Sequence, residues 1–147
     1  MENTPIIVER TVNAPAETVW QALTDRDQMK EWYFDLAEFR PEVGFEFQFS
    51  GGPEDRSYLH LCQVTEVEQG RKIAYSWRYD GYPGNTLVTF ALFPDEDKTT
   101  VRLSHSGLET FPTSNPDFAR TNFEAGWNEI IGTLLPAYLE KNIAAAS

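Results

Sequence analysis

Residues 122–141, NFEAGWNEIIGTLLPAYLEK, form the longest apolar segment with helical spacing, and they follow a series of strand-like segments. Stepping about 100° per residue gathers Phe123, Trp127, Ile130, Ile131, Leu134 and Tyr138 on one stripe. One long amphipathic helix must bury that stripe against something. Asn115 followed by Pro116 predicts its start, as a cap and a first helical residue. Gly132 lies four residues before Pro136, whose ring crowds that carbonyl and offers it no N–H. The pair predicts a bend, with Pro136 on the outer, convex side and the stripe curled over whatever lies beneath. Gly126, at the edge of the stripe, is expected to permit a close approach.

The preceding segments supply the surface beneath. IIVERTV reads as a strand from its β-branched residues, and APAETVWQALTD as a helix with Pro15 at its first position and Val19, Trp20 and Leu23 on its apolar face. DRDQMKEWYF reads as a second short helix, in which Asp25 and Gln28 resemble a capping box. FEFQFS then alternates strictly, with Phe45, Phe47 and Phe49 on one face. SYLHLCQVTEVE, KIAYSWRY, TLVTFALF and TTVRLSHS are four further strands separated by turn clusters. Ile73, Tyr75, Trp77 and Tyr79 share one side; so do Val88, Phe90 and Leu92, and Val101, Leu103 and His105. Short connections give an antiparallel meander, which curves as it twists. The expected fold is α+β in two layers, with one domain over residues 1–143 and a tail at 144–147.

Charge and composition narrow the function. The net charge of −11 repels phosphate backbones and anionic lipid, so neither nucleic acid nor a membrane surface is an expected partner. The N-terminus lacks the basic start and apolar stretch of a secretory signal, and no segment approaches the ~20 apolar residues that span a membrane. A cytoplasmic location is the default. Cys62 is the one cysteine, so no internal disulfide forms, and His60 and His105 lack metal-motif spacing. No phosphate-cradling loop or nucleophile elbow occurs, and no cofactor is expected.

Four segments, in order, resemble a known family. They are NAPAETVWQALTDRDQMKEWYF, VTEVEQGRKIAYSW, VTFALFPDEDKTTVRLSHSGL and GWNEIIGTLL, and together they cover nearly the whole chain. The chain resembles the START/Bet v 1-like (SRPBCC) superfamily, and within it the AHSA type, named for an activator of a ninety-kilodalton heat-shock protein's ATPase. The resemblance implies a helix-grip fold: a curved antiparallel sheet around a long C-terminal helix, with a cavity between them. It also implies stand-alone domains, and three kinds of role. These are a binder of small hydrophobic, lipid-like or polyketide molecules, a chaperone-associated interaction module, and a polyketide cyclase or hydrolase.

The residues favour the first role. Trp32, Phe47, Tyr75, Trp77, Phe90, Phe123, Trp127 and Ile131 can face inward, where most pack the core and the remainder can line a site for a small apolar ligand. Tyr58, Tyr75 and His105 can orient such a ligand; Arg78 alternates away from Trp77 and is expected outside. His105 is the one candidate general base, with a partner inside the sheet as the competing reading. Cys62 reads as a buried, inert thiol, and His60 can face either way. The loop FPTSNPDF can gate the cavity mouth or simply connect. The expected assembly is a monomer or homodimer.

Overall fold

The computed structural model describes residues 5–33, 36, 38–51, 57–112 and 114–146. Strand β1 (Ile6–Val12) leads into helices α1 (Ala16–Thr24) and α2 (Arg26–Trp32). Five strands follow: β2 (Glu46–Gly51), β3 (Tyr58–Glu68), β4 (Lys72–Tyr79), β5 (Thr86–Asp95) and β6 (Lys98–Ser106). They form one curved antiparallel sheet in the order β1-β6-β5-β4-β3-β2. The meander thus brings its last strand back to its first, with Ile6 opposite His105 and Val12 opposite Thr99. The fold is the expected helix grip.

Strict alternation carries the sheet. Phe47, Phe49, Ile73, Tyr75, Trp77, Tyr79, Val88, Phe90, Leu92, Val101 and Leu103 are all buried on its inner face. An irregularity in β3 between Val64 and Glu66 breaks the register with β4, a device that increases local bending. The β4–β5 loop is fixed from below. Gly84, at φ 110°, lies so near the Thr110 carbonyl that a Cβ would approach it to 2.6 Å, and the next amide, Asn85 N–H, donates to Thr110 Oγ1 at 2.9 Å.

The two short helices seal one side. α1 buries Val19, Trp20, Ala22 and Leu23. Pro15 is its cap residue, one position earlier than expected. The Trp32 indole N–H donates to the Ala22 carbonyl at 2.9 Å and pins α2 against α1. Thr99 Oγ1 donates to the Ala14 carbonyl at 2.8 Å and ties the start of α1 to β6. The Asp25 carboxylate accepts from the Asp27 amide, but Gln28 reaches that carboxylate rather than the Asp25 backbone, so the capping box is incomplete.

The C-terminal helix differs from expectation in three ways. Asn115 does cap, accepting from the Asp117 amide at 2.9 Å, but it caps a single 3-10 turn, Pro116–Phe118. The long helix starts afresh as α3 (Arg120–Glu129). A π turn, Ile130–Leu134, then joins it to α4 (Leu135–Ala146), so the AAAS stretch is helical through Ala146. Finally, the buried stripe is Trp127, Ile131, Leu135 and Leu139, while Leu134 is 39% exposed.

The π turn explains that shift. In a regular α-helix each four-residue step overshoots a full turn by about 40°, so such a stripe would wind off the sheet. The Leu135 N–H bonds instead to the Ile130 carbonyl, five residues back, and the wider turn absorbs the overshoot. It does so immediately before Pro136, which has no N–H to continue the ordinary ladder. Pro136 is half-buried and lines a crevice of about 120 Å³ beside Val12 and Asn13, rather than standing on an outer convex face.

Candidate functional site

A groove of about 330 Å³ opens between α3 and the ends of β2, β3 and β4. Its sheet wall is Gly51, His60, Trp77 and Tyr79; its helix wall is Asn122, Phe123, Gly126, Trp127 and Ile130. Among the described residues, no lysine, arginine or carboxylate is part of the lining. Gly126 keeps the helix wall open: a Cβ built there meets nothing within 4 Å. The expected close approach at this glycine is therefore replaced by free space.

His60 faces inward. Phe49 stacks on its ring at 4.4 Å, with Trp77 and Tyr79 edge-on at 5.1 and 4.6 Å. Its Nδ1 lies 3.0 Å from the Tyr58 carbonyl, an acceptor, so Nδ1 carries the proton of the neutral ring. Burial lowers its pKa to about 4, against the opposing pull of the Tyr58 and Phe49 carbonyls. His60 is thus neutral at neutral pH, and so are the other described residues of the lining. The adjacent Tyr79 hydroxyl accepts the Trp77 indole N–H at 3.0 Å, and its ring stacks on Phe118 at 4.8 Å.

Behind this wall the polar atoms are tightly paired. The Trp127 indole N–H donates to His105 Nδ1 at 3.0 Å. Indole only donates, so His105 Nε2 carries the proton and donates to Thr86 Oγ1 at 2.8 Å; that hydroxyl donates to the Trp77 carbonyl at 2.6 Å. His105 is fully buried, and burial lowers its pKa to about 3. Its only basic lone pair is already occupied. His105 thus has a partner inside the sheet, the Thr86 hydroxyl of β5.

Of the residues expected at a site, Trp77, Phe123 and Trp127 come together on the groove. Tyr75, Phe90 and Ile131 are sealed in the core, and Phe47 packs on Tyr75 at 5.0 Å. Trp32 is occupied by its bond to α1. Tyr58 turns its hydroxyl to the Asp117 carboxylate and accepts from the Asn115 amide at 3.3 Å, which ties the loop before α3 to β3. Burial pushes the Cys62 thiol well up, so it stays protonated. Arg78 lies exposed on the outer face, at the edge of a polar depression of about 360 Å³.

Sequence reasoning did not place His60, Tyr79, Gly126 or Ile130 in the site. Alternation did mark Tyr79 as inward. What it lacked was the neighbouring gap, which depends on where α3 starts. Tyr33 was also passed over. Its hydroxyl lies 2.8 Å from that of Tyr75, and its ring packs at 6.0 Å from Phe90 and 6.3 Å from Trp127, filling space under the helix.

The sequence profile of the family described as Activator of Hsp90 ATPase homolog 1-like protein matches residues 13–140. The chain belongs to this family. Among solved structures, the family member described here is similar to protein MLL2253 from Mesorhizobium loti, at 28% identity and TM-score 0.75, over 93% of this chain and 97% of that one. It is also similar in fold to CV1439 from Chromobacterium violaceum, at 23% identity and TM-score 0.77, over 95% and 99% of the two chains. DynU16, from the dynemicin biosynthetic locus, shares the fold at 23% identity and TM-score 0.77; the match covers 95% of this chain and 48% of DynU16. No curated protein matches the sequence. Among the described residues no helix is long and apolar enough to cross a membrane, and no cluster of three His, Cys, Asp or Glu side chains is placed to hold a metal.

Proposed function

We propose that this protein binds a small hydrophobic or aromatic molecule in the groove between α3 and strands β2–β4. The observation that carries this reading is the groove itself: about 330 Å³, walled by Trp77, Tyr79, Phe123, Trp127 and Ile130, and without a charged group among the described residues. Sites of this size and lining suit small apolar ligands, with a few polar atoms to orient them. The occurrence of the same fold in a protein of the dynemicin biosynthetic locus agrees with a small-molecule role.

The test is a thermal-shift screen of uncharged aromatic compounds against the wild-type protein and Gly126→Phe. Position 126 lines the groove and a Cβ there meets nothing within 4 Å, so a phenylalanine has room to project across the groove. Ligands are expected to raise the melting temperature of the wild type and to lose that effect in the variant. A panel with no stabilising compound, or stabilisation unaffected by the phenylalanine, sinks the reading.

Family membership favours a second reading, an interaction module that acts on a chaperone ATPase. Stimulation of the ATPase of a ninety-kilodalton heat-shock protein at saturating concentration supports it, and no stimulation removes it.

A further inference from the structure

Tyr79 lines the groove wall and carries a hydroxyl proton that none of the described residues accepts. The residue is 5% exposed. Its oxygen accepts the Trp77 indole N–H, and an indole cannot accept in return. Among the described residues no oxygen or nitrogen takes the phenolic proton. The Tyr79 oxygen is satisfied as an acceptor, which leaves its proton available to an acceptor that enters the groove. Accepting from Trp77 also polarises the hydroxyl and makes it a better donor. The ring cannot swing elsewhere, since Phe118, His60 and Phe111 pack around it.

We propose that Tyr79 selects the ligand by donating its hydroxyl proton to a carbonyl oxygen on an uncharged aromatic molecule. This rests on the groove being a binding site. A carbonyl accepts without bringing a proton that needs its own partner. A carboxylate fits poorly: the described residues of the lining offer no cation, and an ion stripped of water among them has little to replace its hydration. The chemical class is therefore a neutral aryl ketone, aldehyde or quinone.

Two probes of nearly the same shape, 2-acetylnaphthalene and 2-isopropylnaphthalene, separate the donor from the apolar walls, and 2-naphthoate tests charge. Equilibrium dialysis against the wild type is expected to show the ketone binding roughly threefold to tenfold tighter than the hydrocarbon, the gain of one neutral hydrogen bond. The carboxylate is expected to bind weakest. Tyr79→Phe keeps the ring and removes the donor, and it is expected to bring the ketone and the hydrocarbon to a common affinity. A structural defect would instead weaken both and preserve their ratio.

Equal binding of ketone and hydrocarbon by the wild type overturns the assignment, as does a preference that survives Tyr79→Phe. The same holds for a carboxylate that matches the ketone. Failure of every probe to bind overturns the groove reading beneath it. The variant costs Trp77 its acceptor and can fail to fold, so the infrared carbonyl band of the bound ketone in the wild type gives an independent measurement. A shift to lower frequency than in hydrocarbon solvent supports the bond, and an unshifted band excludes it.

Discussion

The two halves of the C-terminal helix do different work. Beyond the π turn, Leu135 and Leu139 are buried almost completely, and α4 lies against α2. Before it, α3 buries only Trp127; Phe123 is half-covered and Gly126 exposed, and Ile130, the first residue of the turn, is half-covered too. One half is an anchor packed with aliphatic side chains. The other is an open wall faced with rings. The contrast shows how a single helix closes a core at one end and leaves a groove at the other. The π turn makes it possible by keeping Trp127 and Leu135 on the same line.

Trp127 serves both the groove wall and the core, and it is where the comparison breaks most readily. It packs on Trp77 at 5.5 Å and Phe90 at 6.1 Å, and it supplies the donor to His105 Nδ1. Trp127→Ala is expected to cost about 3–5 kcal/mol in urea denaturation, from the lost burial and the cavity left behind. Trp127→Phe retains the packing but orphans the imidazole nitrogen, and it should cost about 1–3 kcal/mol. A loss below that range for the alanine variant would mean that α3 is dispensable to the core, leaving α4 as the sole anchor.

The two histidines sharpen the same contrast through pH. His105 is sealed behind Trp127, and His60 stands at the groove; burial lowers both, to about 3 and about 4. Each is neutral in the folded state where an unfolded histidine, near 6.5, takes a proton. Stability is therefore full above about pH 6.5. It falls as pH drops below that value, until His60 protonates near 4 and His105 near 3. Near pH 5 the unfolded chain holds almost two more protons, a slope of about 2.5 kcal/mol per pH unit. Denaturant titrations at several pH values measure it. His60→Phe, stacked on Phe49, is expected to halve the slope, and an unchanged slope would show that the groove histidine is solvated enough to titrate normally.

The strands were legible because the sheet has one buried face: Phe47, Tyr75, Trp77, Phe90 and Leu103 lie where alternation puts them. Period 2 tolerates no drift without turning every side chain over. The helix was less legible, since its period depends on hydrogen bonds that sequence does not display. Leu134 and Leu135 are adjacent and chemically identical, and only the five-residue bond from Leu135 to Ile130 decides which faces in. The site was least legible. Trp77 and Tyr75 sit on the same strand face with the same pattern, yet one lines the groove and the other meets Tyr33, a residue just after α2 and distant in sequence. A gap is what the packed residues leave over, and no motif encodes it.

The smallest expected effect is the most direct test of why the wall is open. Gly126 lies within α3, exposed, and a methyl group there touches nothing. A glycine in a helix interior costs roughly 0.8–1.0 kcal/mol against alanine, through backbone freedom lost on folding. Gly126→Ala is therefore expected to stabilise the protein by about 0.5–1 kcal/mol, read as a higher denaturation midpoint at unchanged slope. The gain would mean that stability is sacrificed at this position for space beside Trp127, since neither φ nor a neighbour requires the glycine. A loss of stability would give Gly126 a backbone role, and the open wall would then follow from helix geometry rather than from the absent side chain.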